Sequence, residues 1–257
     1  FYVVLNSFRI YFPIKKCPMY IKGIKVIAII SLKEYPQLAF SKNSENVFDI
    51  FKELKEKAAK ANKLIFIDAY SSWCGPCKYM AKNIFTNDTV ADYYNANFIN
   101  AKIDMEKGEG IELAKQYHVN CYPNLLFIDG QGNVVHRVAG SMTVKDFMDL
   151  GKMAQQKEGT FSYYIQNYDK QKSNAQFLIQ YIEALDNTCI ESDVAVAQYF
   201  SLQKDDELAT EQNWNMIKNH SNDLESREIK YVLTHKQKFE DLYTAQTVNE
   251  KIDDVNY

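Results

Sequence analysis

Trp73-Cys74-Gly75-Pro76-Cys77-Lys78, with the Leu64-Ile65-Phe66-Ile67-Asp68-Ala69-Tyr70 run before it, decides how this chain folds. The run is apolar and reads as a buried strand. After the cysteines, Tyr79, Met80, Ala81, Ile84 and Phe85 recur at helical spacing. Both cysteines therefore stand where a strand ends and a helix begins. Free backbone amides and the positive end of the helix dipole lie at such a junction, and both favour a thiolate. Pro76 suits an early helical position, because it lacks the amide that would need a partner there. Two intervening residues let both sulfurs share one helical turn, so a disulfide can open and close without refolding.

Other uses of this pair fit less well. A zinc site needs a second ligand pair, but Cys17, Cys121 and Cys189 are scattered and the four histidines make no paired motif. No metal ligands are therefore assigned. Attachment of c-type haem needs His after the second cysteine, where this chain has Lys78. A purely structural bond across so short a loop stabilises little. Redox chemistry accounts for the pair best.

Residues from about 44 to 157 resemble a thioredoxin-fold domain. Trp-Cys-Gly-Pro-Cys-Lys is the thioredoxin-type active-site signature. Asp68, six residues before Cys74, falls where thioredoxins place a buried carboxylate. Tyr122-Pro123, forty-nine residues after Cys74, falls where the family has its cis-proline, and Gly140 matches a family glycine near the end of the last strand. The Asp104-Met105-Glu106-Lys107-Gly108 stretch and the long helical tail resemble the thioredoxin-like proteins of Bacteroidetes-type bacteria. The fold so implied is α/β, a central mixed sheet flanked by helices, followed by a small all-α domain.

The resemblance also implies roles. Cys74 is the expected exposed nucleophile: it attacks a substrate disulfide, and Cys77 then attacks Cys74 and releases the reduced substrate. Asp68 is expected to take the Cys77 proton, through water, with a pKa raised by burial. Trp73, Gly75, Pro76, Tyr122 and Pro123 are the expected substrate-binding residues. The redox-active disulfide itself is the only cofactor implied. Gly75-Pro76 offers no ring donor to hold the Cys74 thiolate, which favours a reductase or electron relay over an oxidase or isomerase. A client-binding module with regulatory thiols is the alternative of another class. Expected partners are protein disulfides and an upstream thiol electron donor.

Composition sets the remaining bounds. At 257 residues the chain is long enough for two modest domains, and a net charge of −3 gives no electrostatic reason to expect nucleic acid. The segment 19–41 resembles a signal peptide: basic residues Lys22 and Lys25, an apolar run 26–32 too short to span a bilayer, and a small-residue cleavage candidate at Ala39-Phe40-Ser41. A periplasmic or otherwise exported protein is therefore expected, with cytoplasmic residence or a true N-terminal strand as alternatives. Residues 1–18 would then lie outside the mature chain.

In chain order, Val47, Ile50, Phe51, Leu54 and Ala58 predict a helix over 44–62 with Ser44 as its N-cap. Strands are expected at 98–104, 124–129 and 134–138, the last two joined by a turn at 130–133. Helices are expected from Asn87, around 111–117, and over 143–157. Lys157-Glu158-Gly159-Thr160 reads as a boundary. Stripes such as Phe177, Leu178, Tyr181, Ile182 and Leu185, or Val194, Ala197 and Phe200, predict about five helices over 160–257. Cys121 is read as a small apolar filler or an adventitious thiol, and Cys189 as unpaired filler.

Overall fold

The computed structural model describes residues 48–255, together with three two-residue strands before them. Two of these, β1 (Val4–Leu5) and β2 (Phe8–Arg9), pair with each other; the third, β3 (Ala28–Ile29), joins the main sheet. The remainder of segment 19–41, and the Ser44 cap, lie outside the described residues.

Strand β4 (Leu64–Tyr70) is the middle of a five-stranded sheet. It runs parallel to β5 (Phe98–Asp104) and antiparallel to β6 (Asn124–Ile128), and β6 pairs antiparallel with β7 (Val134–Ala139). Ala28 and Ile29 pair antiparallel with the outer edge of β5. The parallel pair requires a crossover, and this is supplied by α2 (Gly75–Tyr79), a π-helical turn over Met80–Ile84, and α3 (Asp88–Asn97). Asn87 caps α3, its side chain accepting from the Thr89 and Val90 amides.

Alternation along β4 sorts its residues between two layers. Ile65, Ile67 and Ala69 face Phe51, Leu54 and Ala58 of α1 (Phe48–Ala61) and Leu113 of α4 (Gly110–Gln116). Phe66 faces the other way, into an aromatic layer with Phe85, Tyr94, Phe127 and Phe147, the last carried by α5 (Val144–Ala154). Tyr94 stacks on Phe147 at 4.2 Å between ring centres and donates its hydroxyl to the Phe147 carbonyl at 2.7 Å. Asp68 keeps the parity of Phe66, so the same alternation turns it toward the layer that holds α2. The chain therefore has the thioredoxin fold, with a helical region after it.

Among the described residues that region holds seven α-helices, not about five, and a 3-10 turn at Asp205–Glu207: α6 (Phe161–Gln171), α7 (Ala175–Asp186), α8 (Asp193–Ser201), α9 (Glu211–His220), α10 (Arg227–Thr234), α11 (Lys236–Tyr243) and α12 (Ala245–Val255). Short helices with their own caps, Thr160, Asn174, Thr210 and Ser226, merge into fewer units when only apolar stripes are followed. Thr244, at φ +81°, breaks α11 from α12. The stripe on α8 also differs from expectation. Val194 is 78% exposed, while Ala195, Val196, Tyr199 and Phe200 face inward. Trp214 packs against Phe239 and Tyr243 at the centre of this second core.

The two cores meet along β7. The Phe161 amide donates to His136 Nδ1 at 3.1 Å, the Arg137 guanidinium lies over the Phe161 ring, and the Ala139 amide donates to the Asn187 carbonyl at 2.6 Å. Among the described residues no helix is long and apolar enough to cross a membrane.

Candidate active site

Cys74 sits at the N-cap of α2, in extended backbone conformation, and its sulfur accepts the Cys77 amide at 3.0 Å. This converts an orphan donor of the first helical turn into a partner for the sulfur, an arrangement that also stabilises a thiolate. Cys74 and Cys77 form a disulfide. Pro76, at the second helical position, leaves no amide unsatisfied there.

Cys74 was expected to be open to solvent, and here it differs: Cys74 is 2% and Cys77 1% exposed. Both sulfurs lie inward, the Cys74 sulfur on the Cys77 amide. The solvent-facing rim is instead made by Trp73, Gly75 and Pro76, with Trp73 68% exposed. Lys78 is exposed, as expected for a solvated charge.

Trp73 is held from two sides. Its indole N–H donates to Glu106 Oε2 at 2.8 Å, and its ring meets Tyr122 edge-on at 6.0 Å. Tyr122-Pro123 is a cis peptide and Pro123 is buried. The Gly140 amide donates to the Pro123 carbonyl at 2.8 Å. Gly140 takes φ +95°, a conformation that side chains disfavour, which explains glycine at this position. Trp73, Tyr122 and Pro123 thus gather beside the cysteine-bearing turn.

Asp68 is 2% exposed. Parallel pairing of β4 with β5 sets it opposite Lys102, and the Lys102 ammonium reaches Asp68 Oδ2 at 2.9 Å. The other oxygen, Oδ1, finds no hydrogen-bond donor. Burial raises the Asp68 pKa and outweighs Lys102, whose charge and hydrogen bond pull it down. The carboxyl therefore holds its proton to higher pH than a free aspartate. Lys102 also lies 4.4 Å from the centre of the Tyr70 ring.

Sequence reading missed two of these residues and misread two further cysteines. Lys102 becomes a partner of Asp68 only through strand register, and Glu106 reaches Trp73 only across the loop after β5. The cysteines are a correction: Cys121 and Cys189 are neither filler nor unpaired, but form a second disulfide across 68 residues. Their spacing carries no signal, since the bond depends on how the helical region lies against β7.

A mixed sheet with a Cys-x-x-Cys pair at the head of its first crossover helix and a cis-proline beside it defines a class of thiol-disulfide proteins. Matching the sequence to known proteins names the class: residues 51–155 match the thioredoxin-like domain family. A thioredoxin from Chlorobaculum thiosulfatiphilum is 31% identical over 91 residues, which make up 35% of this chain and 79% of that protein. Thioredoxin-T from Drosophila melanogaster is 33% identical over 101 residues, 39% of this chain. The match spans only 58% of that protein's length. Among solved structures, a proposed disulphide isomerase from Bacteroides thetaiotaomicron is 44% identical, with a TM-score of 0.38, over 42% of this chain and 89% of that one. The chain belongs to the thioredoxin-like family.

Proposed function

We propose that this protein is a thiol-disulfide oxidoreductase that reduces disulfides in protein substrates. The observation that carries the reading is Cys74 as N-cap of α2, its sulfur on the Cys77 amide, bonded to Cys77. In the reduced protein that amide supports the Cys74 thiolate, which attacks a substrate disulfide and forms a mixed disulfide. Cys77 then attacks Cys74 and the substrate leaves reduced. Asp68, kept protonated to higher pH by its burial, is the acid-base partner for the Cys77 proton. Trp73, Gly75, Pro76, Tyr122 and Pro123 form the face that receives the substrate chain. The source of electrons is a reduced thiol protein; the basic start and apolar run of segment 19–41 support placing this exchange outside the cytoplasm, and the pairing of Ala28–Ile29 with β5 supports the alternative of an N-terminal strand.

The direction of electron flow rests on Gly75-Pro76 between the cysteines, with no ring donor to hold the thiolate. The expected midpoint lies nearer about −270 mV than about −120 mV. Insulin reduction tests the activity, with Cys74→Ser as the inactive control. Equilibration against a dithiol buffer tests the direction. A midpoint above about −180 mV would replace the reductase by an oxidase or isomerase. Wild-type turnover no faster than Cys74→Ser would leave a client-binding module.

A further inference from the structure

The second disulfide stands in an unusual place. Cys121 immediately precedes Tyr122-Pro123, whose ring and cis peptide belong to the substrate face. Cys189 lies in the turn between α7 and α8, in the helical region. The bond therefore does not staple one core; it joins two. Two hydrogen bonds cross beside it: Asn120 Nδ2 donates to the Cys189 carbonyl at 3.2 Å, and the Ala139 amide donates to the Asn187 carbonyl at 2.6 Å. Next to Ala139, the Gly140 amide holds the Pro123 carbonyl. The turn at 187–189 and the 120–123 loop are thus fastened to the same end of β7, and to each other.

The two disulfides differ in how a reductant meets them. Cys74 and Cys77 are buried, whereas Cys121 is half-buried and Cys189 exposed. Cys189 holds φ +56° as the left-handed cap of α7, where its amide donates to the Asp186 carbonyl at 3.1 Å and the Ile190 amide to the Leu185 carbonyl at 3.2 Å, so the turn keeps its backbone shape whether or not the bond is closed. Exposed disulfides are the labile ones, whereas structural disulfides resist the glutathione pool.

We propose that Cys121–Cys189 is a second redox site, a reducible clasp whose state sets how firmly the substrate loop at 120–123 is held. The reductant is a low-molecular-weight thiol or the dithiol of another protein. A thiolate attacks the sulfur of Cys189, the more exposed of the two residues, the S–S bond breaks, and Cys121 leaves as a thiolate that takes up a proton. A second thiol then attacks the reductant's sulfur in that mixed disulfide and frees Cys189, which is likewise protonated. Two electrons pass to the clasp, and the reductant leaves as a disulfide. The 120–123 loop then loses its covalent tie and keeps its hydrogen bonds to the 187–189 turn and to the end of β7, with the Tyr122 ring still against Trp73.

The inference places the clasp beside the substrate face assigned above, but its test does not use that activity. The full chain is equilibrated in native buffer over a series of reduced and oxidised glutathione ratios. It is then trapped by alkylation and mapped peptide by peptide. Cys121 and Cys189 are expected to pass together from disulfide to thiols within that series. A pair that stays bridged under excess reduced glutathione, and opens only in denaturant, would overturn the clasp in favour of a structural bond. The second measurement is amide hydrogen exchange on the Cys74→Ala/Cys77→Ala chain with the clasp closed and open. Opening should speed exchange roughly fivefold or more over 118–124 and 187–190, with the centre of β4 unchanged. Unchanged exchange at both segments would mean that the bond does not hold the loop. If the double variant does not fold, the wild-type titration still decides. Failure of the oxidoreductase reading would appear instead in the insulin assay.

Discussion

The sheet region and the helical region are held together internally in the same way and joined to each other in a different one. Each has a dense aromatic centre, Phe66 with Tyr94 and Phe147 in one, Trp214 with Phe239 and Tyr243 in the other. Between them lies a seam with a polar share: His136, Arg137, Asn187 and a disulfide, with the Phe161 ring as its apolar part. Apolar burial is non-directional and sums over many contacts, so it makes each core resistant. Directional contacts are few, and each can be lost singly. The molecule should therefore come apart at the seam before either core yields.

The strongest way to break this comparison is to damage one core and watch the other. Phe66→Ala, at a residue 1% exposed, should cost about 3–5 kcal/mol and abolish insulin reduction with the fold of the sheet region. Trp214→Ala, also at 1% exposure, should cost a similar amount, yet leave insulin reduction within roughly twofold of wild type. Urea unfolding followed separately by activity and by circular dichroism checks both. If Trp214→Ala removes activity and structure in one transition, the two cores form one cooperative unit and the comparison fails.

The seam should respond to acid next. Burial lowers the His136 pKa to about 4, from an ordinary value of 6.5. Between these values the unfolded chain binds a proton that the folded chain refuses. The contribution of neutral His136 is therefore complete above pH 6.5 and is lost as pH falls through about 4, a difference of about 3 kcal/mol. His136→Phe keeps a ring against Phe127 but removes the titration. Its unfolding free energy should be flatter than wild type over that pH range. Equal slopes in the two proteins would remove His136 from the account.

Asp68→Asn sharpens the contrast within the sheet region, where function and stability pull apart. Burial of the carboxylate is unfavourable at neutral pH, so the amide should raise the thermal midpoint by a few degrees. The same change should slow turnover by about tenfold or more, because the proton acceptor is gone. A faster or unchanged rate would exclude Asp68 from the mechanism.

Limited proteolysis probes the seam with the smallest disturbance. Cleavage is expected at exposed residues 155–158, between α5 and α6, and not inside α6, which packs against β7 and α7. The two fragments should stay joined on a non-reducing gel and separate after reduction, because Cys121–Cys189 bridges them. Fragments that separate without reductant would mean that the bond does not form.

Much of this was legible along the chain. The Leu64–Tyr70 run, the dithiol at a helix start, the strands at 98–104 and 124–128 and the hairpin turn each depend on residues within a few positions of one another. Strand period, helical period, caps and turn residues act over that range, so the sequence alone determined these elements, and with them the redox pair at the head of α2. Tertiary structure decided the rest. Asp68 meets Lys102 because β4 and β5 pair in one parallel register, and Trp73 meets Glu106 because that pairing brings the two strand ends together. Whether Cys74 faces solvent depended on how the 71–77 turn packs, which leaves it 2% exposed. Cys121 meets Cys189 because the helical region lies along β7. Such contacts join residues whose separation along the chain carries no period, and only the packed sheet and the docked helices bring them within reach.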